Sequence, residues 1–263
     1  MIDIKSRYFF EYPLYGGERS EAKQCLRDIL VGNHAGAFSV LCLNPHSFVV
    51  ADSDPVFKAS LANADLLVPD GVGVKIGAKI LGVEVKERIT GYDVFEDAMA
   101  ILNDIKGSVF FIGGSEDTLD KISKRLSIEY PDVVLAGAMS PPFVSSLSDS
   151  VNENILGILQ KVRPDILWVG MTAPKQEKWI YQMLGNLPVK VVGGIGAVFD
   201  FYGKTVRRAP PVISGLGLEW LWRLISQPSR VWKRIFLTGP IFLWRVGKSK
   251  IGQILSQADG SSA

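Results

Sequence analysis

Several short stretches place a residue able to move a proton or hold a polar ligand just after a strand-like run. Asn44-Pro45-His46 follows FSVLCL; Pro45 pre-sets a turn, and the Asn44 amide offers both a donor and an acceptor. An ordinary strand-to-helix turn with Asn44 as N-cap fits the same residues, and His46 suits a cap or surface position better than a base. Asp70 follows DLLVP and precedes Gly71-Val72-Gly73. A carboxylate there can take a proton from an incoming hydroxyl, and Gly71 lets a ligand approach the backbone. Capping the next helix is its competing role. Gln176 lies in GMTAPKQE, where its amide can reach a base or ribose. Gly113-Gly114-Ser115 leaves backbone N–H groups suited to an anion or sugar hydroxyls, or simply makes a tight turn. Gly193-Gly194-Ile195-Gly196, followed by Arg207-Arg208, is a phosphate signal. Arg88 and Asp93 either pair to brace a crevice, contact a polar acceptor, or form a plain surface ion pair.

A metal or cofactor is not expected. Asp52-Ser53-Asp54 resembles a cation-holding carboxylate pair, but it falls inside a predicted helix, and a solvated helix face is the better reading. His34 and His46 are the two histidines, which excludes a His-rich metal site. The glycine spacing in GVGVKIG differs from the dinucleotide fingerprint.

These residues need a scaffold that aligns strand ends. From about Phe38 to Asp200 the chain alternates buried-type strands (FSVLCL, DLLV, SVFFIG, DVVLAGA, DILWVG, VKVVGG) with amphipathic stretches. The latter predict helices over 46–63, 73–81, 94–105, 116–129, 148–161 and 175–184. That alternation specifies a mostly parallel α/β sheet flanked by helices, in which ligands bind beyond the C-terminal strand ends. After Gly203 the pattern changes: RRAPPVISGLG reads as a connector, and LEWLWRLISQPSRVWKRIFL as helix, break near Pro228, and helix. IFLTGPIFLW is apolar but short and interrupted by Gly-Pro, which suits an interfacial segment. The expected division is an α/β core at 1–203 and a helical appendage at 204–263.

Charge separates the same two parts. Residues 203–251 hold ten Lys/Arg against Glu219 alone, a balance of +9 within a net charge of +2, so the remainder carries −7. Four of the six Trp (Trp220, Trp222, Trp232, Trp244) share that stretch, which implies an anionic partner there. Two cysteines exclude a disulfide scaffold and suit a reducing compartment. The charged N-terminus lacks an apolar signal core, and no run approaches the ~18 apolar residues of a membrane span. The basic stretch lacks any nucleic-acid docking motif, so no nucleic-acid partner is expected.

LNPHSFVV, VPDGVG, RITGYD, FFIGGS, GMTAPKQEKW, GGIGAVFDFYGKTVRRAP and GLEWLWRLISQPSR occur in the order and spacing of the WecG/TagA/CpsF glycosyltransferases. The resemblance runs from about Leu41 to Arg234. It implies a Rossmann-like α/β core whose basic, Trp-rich helical C-terminal appendage packs on the membrane and completes the active site. It further implies an inverting, metal-independent enzyme that moves a sugar from a UDP donor to a polyprenyl-diphosphate-linked sugar. The expected location is cytoplasmic, peripheral on the inner face of the cell membrane. By resemblance the catalytic Asp matches Asp70 and the strand-end Asn matches Asn44. The PKQE Gln matches Gln176, and diphosphate-holding arginines match Arg223 and Arg230. Cys42 stands where members often carry Thr, and Lys233 where they carry a third Arg. His46 in NPH suggests a branch outside the teichoic acid enzymes, such as the xanthan-type exopolysaccharide glucosyltransferases. UDP-glucose and UDP-N-acetylmannosamine stay open as donors, as does a homo-oligomeric state. A non-catalytic nucleotide-sugar-binding scaffold at the membrane is the competing reading, with Cys42 as its best support.

Overall fold

Runs such as FSVLCL and ILWVG carry no polar face, so they are stable only where both sides of a sheet are covered. A computed structural model describes residues 4–32, 34–204, 209–210, 213 and 218–260, and their side chains except at 230 and 257–260. In it these runs form β3 (Phe38–Leu43), β4 (Leu66–Pro69), β5 (Ser108–Gly113), β6 (Val134–Met139), β7 (Ile166–Gly170) and β8 (Val191–Gly194). They belong to an eight-stranded sheet of order β1-β2-β4-β3-β8-β7-β5-β6. Every pairing is parallel except the hairpin of β1 (Ser6–Phe9) with β2 (Tyr12–Tyr15). Two cores fill the faces of the sheet, one around Trp168, Phe95 and Phe111, the other around Phe9, Phe48, Phe57 and Leu167. The expected Rossmann-like α/β architecture is what forms.

The connecting helices are α1 (Arg19–Val31), α2 (Pro45–Ala51), α3 (Pro55–Ala62), α4 (Val72–Leu81), α5 (Gly91–Ile105), α6 (Glu116–Glu129), α7 (Asp149–Val162), α8 (Lys175–Met183) and α9 (Ala197–Tyr202). The hairpin, α1 and α9 were not anticipated from the sequence. The single helix predicted over 46–63 is also wrong. Asp54 accepts from the Phe57 backbone N–H at 3.0 Å and Pro55 occupies the first turn of α3, so a new helix starts where the expected one would have continued. Asp52 and Asp54 therefore do not form a solvated helix face: Asp52 pairs with Arg245 at 2.6 Å and Asp54 with Lys178 at 2.8 Å.

The C-terminal segment comprises α10 (Glu219–Ser226), α11 (Pro228–Lys233), a π-turn (Arg234–Thr238) and α12 (Gly239–Gly260). The break at Pro228 falls where expected. The Gly-Pro pair does not interrupt the helix: residues 228–260 are helical throughout, with the π-turn Arg234–Thr238 passing directly into α12 at Gly239. Phe242 and Val246, one turn apart, anchor α12 to the core; Phe242 meets Phe48 edge-on at 5.3 Å between ring centroids. A Cβ on Gly77 of α4 would lie 2.8 Å from the Phe242 ring, so only glycine admits this contact. No described helix is long and apolar enough to cross a membrane.

Candidate active site

Because β3, β4, β5, β7 and β8 run parallel, their C-terminal ends open into one crevice of about 1290 Å³. Asn44, Asp70, Gly113, Gly170 and Gly194 line it, as do Arg223 and Arg234 from the C-terminal segment.

Asp70 ends β4, with its backbone N–H donating to the Leu43 carbonyl at 2.9 Å. The N-cap of α4 is Gly71, at φ +93°, and no side chain caps that helix. The carboxyl is thereby released from capping and lies in the crevice. Burial pushes its pKa up to about 6; Arg223 and Arg88 pull it down, while Glu219 and Asp93 add to the rise. Near neutral pH it is ionised yet basic enough to accept a proton. Asn44 takes the local role open to it: its Oδ1 accepts from the Ser47 N–H at 2.9 Å, and the Ser47 hydroxyl closes a capping box on α2. It still borders the crevice. His46 is neither a cap nor a surface residue. Its ring is half-buried, 3.3 Å from the Thr238 hydroxyl of the π-turn, and burial with Arg234 nearby lowers its pKa to about 4.

Gln176 and Glu177, both buried, face the crevice from the first turn of α8. The Gln176 amide nitrogen donates to Glu177 Oε1 at 2.9 Å. Gly194 borders the pair: a Cβ there would press on Leu41 at 3.0 Å and stand at ordinary contact distance, 3.5 Å, from the Gln176 amide nitrogen. Burial raises the Glu177 pKa to about 7 against the opposing effect of its Gln176 bond. Sequence reasoning passed over Glu177, because an acidic residue in the first turn of a helix is what the helix dipole alone would favour.

Arg223 lies over the Phe201 ring, 4.6 Å from its centroid, and 3.8 Å from Glu219. Its buried Nε has no partner among the described residues. Lys233 was the expected third cation, but it is exposed and sits over Trp232 at 5.7 Å; the next residue, Arg234, reaches the crevice instead. Arg207 lies outside the described residues, as does the Arg230 side chain. Arg88 and Asp93 engage different partners. Arg88 reaches Glu219 at 3.5 Å, whereas the Asp93 carboxylate accepts from the backbone N–H of Thr90, the N-cap of α5, at 2.8 Å and pairs with Arg19 at 3.2 Å. Arg88 thus ties the core to α10.

Gly113 and Gly114 border the crevice but do not leave a free anion nest: the Gly114 N–H donates to the Gly170 carbonyl at 3.1 Å. A Cβ on Gly113 would meet that carbonyl at 2.3 Å, so the glycine permits the close approach of the paired ends of β5 and β7. Cys42 borders the crevice with its thiol pKa held well above the usual range, first by burial and then by Asp70. It behaves as a small apolar wall. Among the described residues, no three His, Cys, Asp or Glu side chains converge as a cation site.

The family profile described as "Glycosyl transferase WecG/TagA/CpsF family" matches residues 8–255. The chain is 31% identical to the N-acetylglucosaminyldiphosphoundecaprenol N-acetyl-beta-D-mannosaminyltransferase of Bacillus subtilis (strain 168), over 73% of each chain. It is 30% identical to the protein of that name from Bacillus spizizenii, over 80% of this chain and 79% of the relative. The Staphylococcus aureus (strain MRSA252) protein of that name is 25% identical, over 80% of both chains.

Proposed function

This chain belongs to the WecG/TagA/CpsF glycosyltransferase family, and from that footing we propose that it moves a sugar from a UDP donor to a polyprenyl-diphosphate-linked sugar with inversion at the anomeric carbon. Of the two donors open on sequence, UDP-N-acetylmannosamine is favoured, because the relatives' names specify N-acetylmannosaminyl transfer to N-acetylglucosaminyl-diphosphoundecaprenol. The crevice, at about 1290 Å³, exceeds the ~300–1,000 Å³ of a site for one drug-sized ligand, as two substrates require.

The observation that carries the reading is the placement of Asp70. A strand-end carboxyl, freed from capping by Gly71 and poised near pH 6, shares its crevice with arginines from a separate segment. Asp70 takes the proton of the acceptor hydroxyl, whose oxygen attacks the anomeric carbon as the bond to the diphosphate breaks. The departing UDP gains negative charge, and Arg223 and Arg234 neutralise it. The guanidinium fork suits a diphosphate better than an ammonium does, which fits Arg rather than Lys at the crevice. Membrane attachment through the C-terminal segment brings these arginines and the lipid-linked acceptor to the same place.

Release of UDP from UDP-N-acetylmannosamine, measured with and without polyprenyl-diphosphate-N-acetylglucosamine, tests the assignment. Acceptor-dependent release that Asp70→Asn lowers by at least a hundredfold supports it. Binding without release would instead leave the non-catalytic scaffold.

A further inference from the structure

Three buried polar atoms at the crevice lack partners among the described residues: Gln176 Oε1, Glu177 Oε2 and Arg223 Nε. The first two belong to adjacent side chains joined by the 2.9 Å bond from Gln176 Nε2 to Glu177 Oε1. An amide presents an acceptor on one side and two donors on the other. Whichever side is tied down decides what the free side offers. A carboxylate can only accept, so an ionised Glu177 captures the Gln176 NH2 and leaves Oε1 as the untied side of the amide. The backbone at Gly196 packs tightly on the amide, as a Cβ there would lie 3.1 Å from Oε1 and 3.3 Å from Nε2.

We propose that Glu177 is a positioning residue: by holding the Gln176 NH2 group, it turns Gln176 Oε1 into the crevice as an acceptor for a hydroxyl or N–H of the bound nucleotide sugar. Loss of the anchor leaves the amide free to flip, which offers a donor where the ligand also donates. The inference rests on the reading of the crevice as a nucleotide-sugar site, but the state of the pair is open to measurement without ligand. The groups facing Glu177 are Gln176 on its own helix, Arg234 from the π-turn and the Cys42 thiol from β3. Protonation of Glu177 removes the constraint, because a carboxylic acid can donate to Oε1 and reverse the amide. With a pKa of about 7, the pair changes state within the range where the enzyme is assayed.

The test compares Glu177→Gln, which keeps an acceptor oxygen, with Glu177→Ala, which removes it, using UDP-N-acetylmannosamine as donor. Glu177→Ala should raise the KM for the donor about tenfold or more with a smaller change in kcat, the loss expected when a buried polar contact goes unmade. Glu177→Gln should recover most of that loss and flatten the pH dependence of KM between pH 6 and 8. Equal damage in the two variants, or an unchanged KM in Glu177→Ala, overturns the proposal. Side-chain amide NMR of the ligand-free wild-type chain provides a second readout, with the Gln176 NH2 pair assigned by its disappearance in Gln176→Leu. Its resonances should shift with a midpoint near pH 7, and an amide indifferent to pH overturns the proposal even if Glu177→Ala fails to fold. If UDP-N-acetylmannosamine neither binds nor reacts, the functional reading fails, while the NMR titration still decides the pair.

Discussion

The catalytic role proposed for Asp70 would come at a cost in stability. A carboxyl at 3.8 when unfolded and about 6 when folded binds its proton more tightly in the native state. Its ionisation therefore opposes folding: the penalty is absent below about pH 4, grows as pH rises, and is complete above pH 6. The full shift corresponds to up to ~3 kcal/mol. Asp70→Asn should accordingly melt a few degrees above wild type at pH 8, with the gap shrinking toward pH 4, while turnover collapses. The wild-type kcat/KM should fall on the acid side with a midpoint near pH 6. A variant no more stable than wild type at pH 8 would show that the carboxyl is not held in a desolvated site. The residue scale also shows what sequence leaves illegible. Asp70, Asn44 and Gln176 could be located by type and by position after strands, whereas the family resemblance is what singles out Arg223 within the basic tail. Lys233 and Arg234 could not be told apart by counting, because they are adjacent cations and only the packing of the helix decides which of them faces the crevice. Arg234→Ala should lower turnover at least a hundredfold and Lys233→Ala by less than threefold. The reverse ranking would return the diphosphate role to the position favoured by family spacing.

Elements set the geometry that these residues use. Parallel strands whose ends coincide were readable from alternating apolar runs, since a two-sided buried strand has few other solutions. The break between α2 and α3 was hidden because Asp52-Ser53-Asp54 can be solvated on a continuous helix as easily as it can end one. Only packing chooses, and here Asp52 and Asp54 are held by Arg245 and Lys178. The β1–β2 hairpin was missed because its short strands mix charged and apolar residues and extend a sheet whose core lies far along the chain. Seating of α12 on α4 is the element-level contact expected to hold the arginines in place. It joins directly to the π-turn, whose Thr238 hydroxyl donates to the Arg234 carbonyl at 2.6 Å and faces His46. Gly77→Val would drive a side chain into Phe242 and Val246, where even a bare Cβ stands at 2.8 and 3.2 Å. Overpacking of this kind costs ~1–3 kcal/mol. Displacement of α12 should cost activity beyond what the melting temperature explains. A Gly77→Val enzyme with lowered stability but wild-type turnover would show that the arginines do not need this seat.

At the scale of the whole molecule, the basic tail and the crevice form one surface. On α12 the buried Phe242 and Val246 face the core, while Ile241, Trp244, Ile251 and Leu255 are exposed at helical spacing with Lys248 among them. Trp232, Phe236 and Leu237 extend this apolar exposure back to the π-turn. A water-exposed apolar stripe edged by lysines and tryptophans is stabilised by the interface of an anionic bilayer, with ~1 kcal/mol from each nearby cation. The five-residue π-turn carries Arg234 at the crevice and exposes Phe236 and Leu237, so the side proposed to meet lipid and the side proposed to meet the diphosphate are separated by a single turn. An acceptor could then reach Asp70 while its polyprenyl chain stays in the bilayer. The chain should co-sediment with vesicles containing phosphatidylglycerol, bind phosphatidylcholine vesicles at least tenfold less, and detach as salt rises from 50 to 500 mM. Trp244→Ala combined with Lys248→Glu should weaken vesicle binding by about tenfold and slow transfer to a vesicle-embedded acceptor. Transfer to a short-chain, water-soluble acceptor should be left within twofold of wild type. Equal losses with both acceptors would mean that α12 acts on the crevice alone, and no preference for anionic vesicles would remove the membrane from the scheme.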